Sequence, residues 1–245
     1  MSVTSETRVR TLALSEAEVA VREVGSDVPV LLLHEALGRA APYFEPGSLA
    51  EQIAARGCRV IGFDLPGHGE PGTFETAERI RFDAETIEEV AARALEILDV
   101  QGVEQAAAAI GVGFGGLVAL RLGAILPRRV GCVVADSPPG LTPDAPAEPW
   151  SGASGVAHPL GTAWDAFVAR LDGEDPYAWL AGTIQVPALI TIGAQADDPS
   201  TERLFDVARR LPAQVALLPG AGPPAYRSAR AFFLREVERF LAAHG

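Results

Sequence analysis

The chain has no lysine; apart from four histidines, every basic residue is arginine. That excludes Schiff-base chemistry and the lysine of a phosphate-binding P-loop. There are two cysteines, Cys58 and Cys132, and neither stands in ligand spacing with the other or with a histidine. Neither a disulfide framework nor a metal centre is expected, and both thiols read as small hydrophobes in buried strands. No apolar run approaches transmembrane length, and the opening MSVTSETRVR contains no apolar core of a secretory signal. A cytoplasmic location is the expectation. Positive charge is outweighed: the formal net charge is -12, which argues against nucleic acid and anionic membranes as partners. There is no internal repeat and no low-complexity tail. What remains is 245 residues, 48% hydrophobic and 21% charged, enough for one domain with a full core. The heavy use of Ala, Arg and Gly suggests a GC-rich bacterial genome.

Patterning divides this chain into alternating strands and helices. Arg8 to Leu14 and Glu18 to Val24 alternate as an antiparallel hairpin at a sheet edge. VPVLLL (Val28 to Leu33) is a continuous apolar run, as expected of a strand covered on both faces, and GCRVIGFD (Gly57 to Asp64) and the run from Val130 to Asp136 read as further buried strands. Helical spacing marks Leu49 to Arg56, Ala84 to Val100, Glu202 to Arg210 and Arg227 to Ala243, with further strands at Val186 to Gly193 and Val215 to Leu218. Such alternation implies a mostly parallel sheet with helices on both faces. Ligands then bind outside the carboxyl ends of the strands, here His34-Glu35, Asp64, Gly111 to Phe114, Asp136-Ser137 and the region of Asp197. Residues 137–183 break the rhythm with Pro, Gly and Trp and read as a lid over that crevice; 1–136 and 184–245 form the core domain.

The stretch Ala106 to Leu120, AAAAIGVGFGGLVAL, organises the rest. A strand of small residues runs through Gly111, Gly113, Gly115 and Gly116 into an apolar helix. Two sites use such a turn. One is the dinucleotide fingerprint G-x-G-x-x-G, matched by Gly111, Gly113 and Gly116, with Asp136 about twenty residues on as the ribose acid. The other is the nucleophile elbow G-x-S-x-G, matched everywhere except at the nucleophile, where Gly113 stands. Too little sequence follows the motif for a full dinucleotide sheet, and the upstream strands would have no role, so the elbow explains more of the chain.

VLLLHEALG, RVIGFDLPGHG, GVGFGGLVALRLGAILPRRVGCVVADSP and VPALITIG, in this order, resemble the α/β-hydrolase superfamily over nearly the whole length. HEALG with GVGFGG is similar to the dienelactone-hydrolase branch; PGHG, with His68 normally structural, and the long lid are more similar to the lactonase and haloperoxidase branches. The resemblance implies an α/β-hydrolase fold with the lid inserted after the strand ending at Asp136. It also implies a serine, cysteine or aspartate at position 113 and a histidine where Pro223 stands, neither of which this chain has. The acid is implied near Asp197 or Asp198. Without nucleophile and histidine the Ser-His-Asp mechanism cannot operate.

The residues left to carry chemistry are few. Glu35 is expected beside the open position at Gly113, as acid/base or as a loop anchor; His34 reads mainly as structural, and Asp136 is the alternative carboxylate. The backbone N–H groups of Ala36 and Phe114 are the implied oxyanion donors. Ser137, Asp197 and the lid residues Trp150, His158, Trp164 and Tyr177 are expected around the pocket. No cofactor and no metal are expected. The expected partner is a small-molecule ligand or substrate, with a homodimer as the further option. Three functions stay open: a cofactor-free, non-hydrolytic enzyme (lyase, isomerase or cyclase) acting on a carbonyl-bearing apolar molecule; a non-catalytic pseudohydrolase, as in the N-myc downstream-regulated proteins, which are similar in carrying glycine at the elbow; or a hydrolase with relocated apparatus.

Overall fold

The computed structural model describes residues 6–15, 18–35, 38–65, 84–139, 177, 180, 182–194, 199–222 and 224–245. Eight strands form one sheet: β1 (Arg8–Ala13), β2 (Glu18–Val24), β3 (Val28–Leu33), β4 (Cys58–Phe63), β5 (Ala106–Val112), β6 (Val130–Asp136), β7 (Ala188–Ala194) and β8 (Gln214–Pro219). Their order is β1-β2-β4-β3-β5-β6-β7-β8. The β1/β2 and β2/β4 pairs are antiparallel and all others parallel. The hairpin therefore lies at one edge, as its alternation predicts.

Six helices are described: α1 (Leu49–Ala54), α2 (Ala84–Val100), α3 (Phe114–Ile125), α4 (Pro199–Arg210), α5 (Ala225–Ser228) and α6 (Arg230–His244), with a 3-10 turn at Ala41–Phe44. They cover both faces. Leu31, Leu33, Ala109, Val133 and Ala135 pack with α2, α3 and α4 on one side. Val30, Leu32, Ile110, Cys132 and Val134 pack with α1 and α6 on the other. Side chains alternate across a strand, so a strand buried on both faces has to be apolar at every position. That is why VPVLLL and VGCVVAD carry no alternation. Helix α3 is buried on nearly all sides, with only Arg121 and Ile125 outside its buried set, as its apolar sequence requires.

Both cysteines are free and buried. The Cys132 thiol is pushed up to about 12 by burial and donates to the Ala107 carbonyl at 3.3 Å, so it packs as a small hydrophobe. A buried carboxylate on β2, Glu23, is paired with Arg59 Nε at 2.8 Å and Gln101 Nε2 at 2.9 Å. It ties the hairpin strand to β4 and to the segment after α2.

Candidate active site

The carboxyl ends of β3, β5 and β6 meet in one row. Leu33 pairs with Gly111 and Val112 with Asp136. Glu35, Gly113 and Ser137 each follow closely on the end of one of these three adjacent strands. The turn there is tight. A Cβ on Gly111 would lie 1.9 Å from the Gly115 carbonyl oxygen, and one on Gly115 would lie 2.4 Å from that of Leu33. These glycines are demanded by backbone packing, so no phosphate is needed to explain them. Gly113 caps α3 with φ 53° and ψ -120°, a conformation that side chains resist. Its N–H donates to the Asp136 carbonyl at 2.8 Å, and its own carbonyl accepts from Gly116 at 2.9 Å.

Glu35 is buried, 6% exposed. Its carboxylate accepts from the Tyr43 hydroxyl through Oε2 and from Arg227 Nη2 through Oε1. Burial raises its pKa, and the Arg227 guanidinium opposes that rise. Arg227 also donates from Nε to the Tyr226 hydroxyl at 2.9 Å. The Tyr43 and Tyr226 rings complete the wall, with centroids 5.5 Å apart. Three elements distant in sequence thus converge on one carboxylate: the end of β3, the 3-10 turn and α5.

His34 has both ring nitrogens engaged by main chain. Nε2 accepts from the Leu65 N–H at 2.9 Å, which leaves the proton on Nδ1, 2.7 Å from the Glu35 carbonyl oxygen. Burial, with Arg22 adding, pushes its pKa down to about 4. It is a neutral brace between the β3 and β4 loops. Asp64 does similar work, accepting from the Ala40 N–H at 2.5 Å.

Asp136 is fully buried. Thr191 donates to Oδ1 at 2.7 Å and the Tyr226 N–H to Oδ2 at 3.0 Å. Burial nevertheless pushes its pKa up to about 6. So enclosed, it is not placed to meet a nucleotide ribose, the role the dinucleotide alternative gave it. Ser137 is 2% exposed and holds a positive φ of 47°. Its Oγ accepts from the Ala225 N–H at 3.1 Å and lies 3.4 Å from Asp136 Oδ1. Asp136 and Ser137 together therefore pin the chain entering α5, and so set where Tyr226 and Arg227 project.

Tyr177 is fully buried against the α2–α3 side of the core, and its hydroxyl donates to the Pro139 carbonyl at 2.5 Å. Phe114 is buried as the first residue of α3. Ala36, Trp150, His158, Trp164, Trp179, Asp197 and Asp198 lie outside the described residues, as do His68, Pro223 and most of the expected lid. Among the described residues no group of three His, Cys, Asp or Glu is placed to hold a metal ion, and no helix is long and apolar enough to cross a membrane. A cavity of about 500 Å³ lies at the amino ends of the central strands β4, β3 and β5, lined by Val28, Ile53, Cys58, Ala107, Leu234 and Val237. It is remote from this row of strand ends.

Sequence reasoning reached Glu35, Gly113, Asp136 and Ser137 but not Tyr43, Thr191, Tyr226 or Arg227. The signal for the last two was their place, just past the loop where the superfamily's histidine is expected.

The fold is shared with solved hydrolases. An esterase of Pyrococcus furiosus superposes with a TM-score of 0.74 at 20% identity, covering 98% of this chain and 92% of its own. A CIB-like hydrolase of Thermoplasma acidophilum gives 0.69 at 17% identity, covering 97% and 98%. A carboxylesterase of Bacillus subtilis gives 0.67 at 16% identity, covering 97% and 92%. No curated protein matches the chain by sequence. The alpha/beta hydrolase fold family matches residues 29–174. With more than half of its length in that match and this strand order around the glycine turn, the chain belongs to the alpha/beta hydrolase fold family.

Proposed function

We propose that the protein is a cofactor-free enzyme of the α/β hydrolase fold that forms no covalent intermediate and transfers protons through Glu35 on a carbonyl-bearing apolar small molecule. What supports this reading is an elbow conformation kept at a residue with no side chain, together with a buried carboxylate, Glu35, just past the end of the neighbouring strand β3. Glycine cannot form an acyl-enzyme. A substrate carbonyl then sits where a serine would project. The carboxylate takes a proton from the carbon next to the carbonyl, and negative charge develops on the carbonyl oxygen. Backbone amides at Phe114 and Ala36 are the proposed donors to that oxygen. Return of the proton elsewhere gives isomerisation; loss of a leaving group or internal attack gives a lyase or cyclase.

The second reading is a hydrolase with relocated apparatus, in which a carboxylate activates water. The likeness to solved esterases favours it. Asp136 is poorly suited to that role, because its carboxylate oxygens are taken up by Thr191 and the Tyr226 amide; Asp197 is the other carboxylate proposed for it.

A fluorophosphonate probe is expected to leave the protein unlabelled. A panel of ketones, β-keto compounds, lactones and esters, followed by NMR in deuterated water, is expected to show solvent exchange next to a carbonyl. Glu35→Gln should slow that exchange by about a hundredfold or more. Ester cleavage surviving Glu35→Gln would sink the assignment to Glu35. Absence of any turnover leaves a binding pseudohydrolase.

A further inference from the structure

We propose that the cavity between α1, α6 and the amino ends of β3, β4 and β5 is a second binding site, and that it takes an uncharged apolar small molecule. The inference does not rest on any binding or turnover at the carboxyl ends of the strands.

The space follows from where the two helices of this face lie. Helix α1 lies chiefly against β2 and β4, and α6 against β6 and β8. Strands β3 and β5 run between them. The three strand spacings from β4 to β6 alone span about 14 Å, against roughly 8–10 Å between packed helices. Something other than helix must fill the gap. Near the carboxyl ends, Tyr43, Phe44 and Tyr226 do so. Near the amino ends, the side chains of Val28 and Cys58 are too short, and a cavity of about 500 Å³ remains. Voids in a packed interior seldom exceed a water molecule; this volume falls within the roughly 300–1,000 Å³ of small-molecule sites.

The lining sets the class of ligand. Val30, Ile53, Leu234 and Val237 make an apolar wall, and the charged side chains on the cavity are Arg56 and Glu238. These two pair with each other, Arg56 Nε to Glu238 Oε2 at 3.1 Å, and Arg56 Nη1 donates to the Gln52 carbonyl at 2.5 Å. The rim therefore carries no surplus charge. Burial raises the Cys58 pKa, which keeps that thiol neutral too. An ion entering here would shed its hydration and find its counter-charge already taken, whereas an apolar molecule loses only its contact with water. The pair also joins the end of α1 to α6 across the opening. A peptide helix, about 10 Å across, does not pass between walls joined in that way, so the occupant is a small molecule.

The test uses the full chain and one ring system in three charge states: naphthalene, 2-naphthoate and 2-naphthylmethylammonium, measured by equilibrium dialysis. Naphthalene is expected to bind about tenfold or more tightly than either ion and to raise the melting temperature. Cys58→Leu fills the interior, and Ala242→Trp covers the rim from an exposed position on the same face of α6. Each should weaken naphthalene binding about tenfold or more and remove the thermal shift; the exposed Ala242→Trp keeps the test open if Cys58→Leu does not fold. Glu238→Gln frees Arg56, so it should strengthen 2-naphthoate severalfold and leave naphthalene unchanged. Either ion binding as tightly as naphthalene would overturn the ligand class, as would unaltered 2-naphthoate binding in Glu238→Gln. Absence of naphthalene binding up to its solubility limit would overturn the site. Full binding retained in Ala242→Trp would do the same, because the ligand would then lie elsewhere.

Discussion

Gly113 holds a backbone conformation that other residues enter only under constraint, and the surrounding turn keeps that conformation without a nucleophile to present. Adding the missing side chain tests what the position lacks. Gly113→Ser is expected to fold with a loss of about 1–3 kcal/mol, the usual cost of a strained backbone at such a site, read by urea denaturation. It should gain no labelling by a fluorophosphonate, because His34, the histidine at the end of β3, has both nitrogens committed to main chain. Rapid labelling would show that a base lies within reach. At this scale the sequence was half legible. Glu35 and Gly113 were found because they sit inside a recognisable motif. Arg227 was not, because its partner is 192 positions away and nothing local marks an arginine that closes such a gap.

The elbow works as an element because α3 starts almost in contact with β5 and β3. The glycines divide by what a methyl group would meet. On Gly111 and Gly115 it would strike backbone oxygens at 1.9 and 2.4 Å; on Gly116 its nearest neighbours, the Ala135 side chain and the Gly111 carbonyl oxygen, both lie at 3.3 Å. Overlaps of that depth with packed backbone cannot be relieved by small movements, whereas contacts at 3.3 Å ask for a shift of tenths of an ångström. Gly111→Ala and Gly115→Ala are therefore expected to cost about 3 kcal/mol or more, at the high end for overpacking, and Gly116→Ala clearly less, read as melting temperatures. Equal effects at all three would mean that glycine here serves backbone conformation and not close approach. Elements of this kind were the most legible part of the chain. The apolar runs fixed β3 to β7 within a residue or two, since burial on both faces leaves little freedom in composition. The 3-10 turn carrying Tyr43 went unread because one turn has no periodicity to detect. The run from Arg227 to Ala243 read as one helix, whereas the chain breaks at Ala229, at φ -130° and ψ 43°, without a glycine or proline to announce it. That unannounced break creates α5, and α5 carries the arginine.

For the molecule as a whole, two buried groups oppose each other on acidification. His34 has a folded pKa of about 4 against 6.5 unfolded. Its contribution is complete above pH 6.5 and is lost as the pH falls toward 4, because the unfolded chain binds the proton first. Asp136 has a folded pKa of about 6 against 3.8 unfolded. Here the folded chain binds the proton first, so stability is gained as the pH falls from 6 toward 4. Each group has a slope of about 1.4 kcal/mol per pH unit within its window, and each sums to about 3 kcal/mol across it. Between pH 4 and 6 the two slopes have opposite sign and cancel. A double comparison isolates them. Asp136→Asn removes the gain, so its stability should fall relative to the parent by about 1.4 kcal/mol for each unit from pH 6 to 4. His34→Gln removes the loss, so its stability should rise relative to the parent over the same range, whatever either substitution costs at neutral pH. Urea midpoints at half-unit steps read both slopes, and taking differences from the parent removes groups that titrate in all three proteins, Glu35 among them. A curve for Asp136→Asn parallel to that of the parent would show that Asp136 is ionised in the fold throughout. The loop entering α5, and with it the placement of Arg227, would then be held by a permanent charge and not by a carboxyl that neutralises in mild acid.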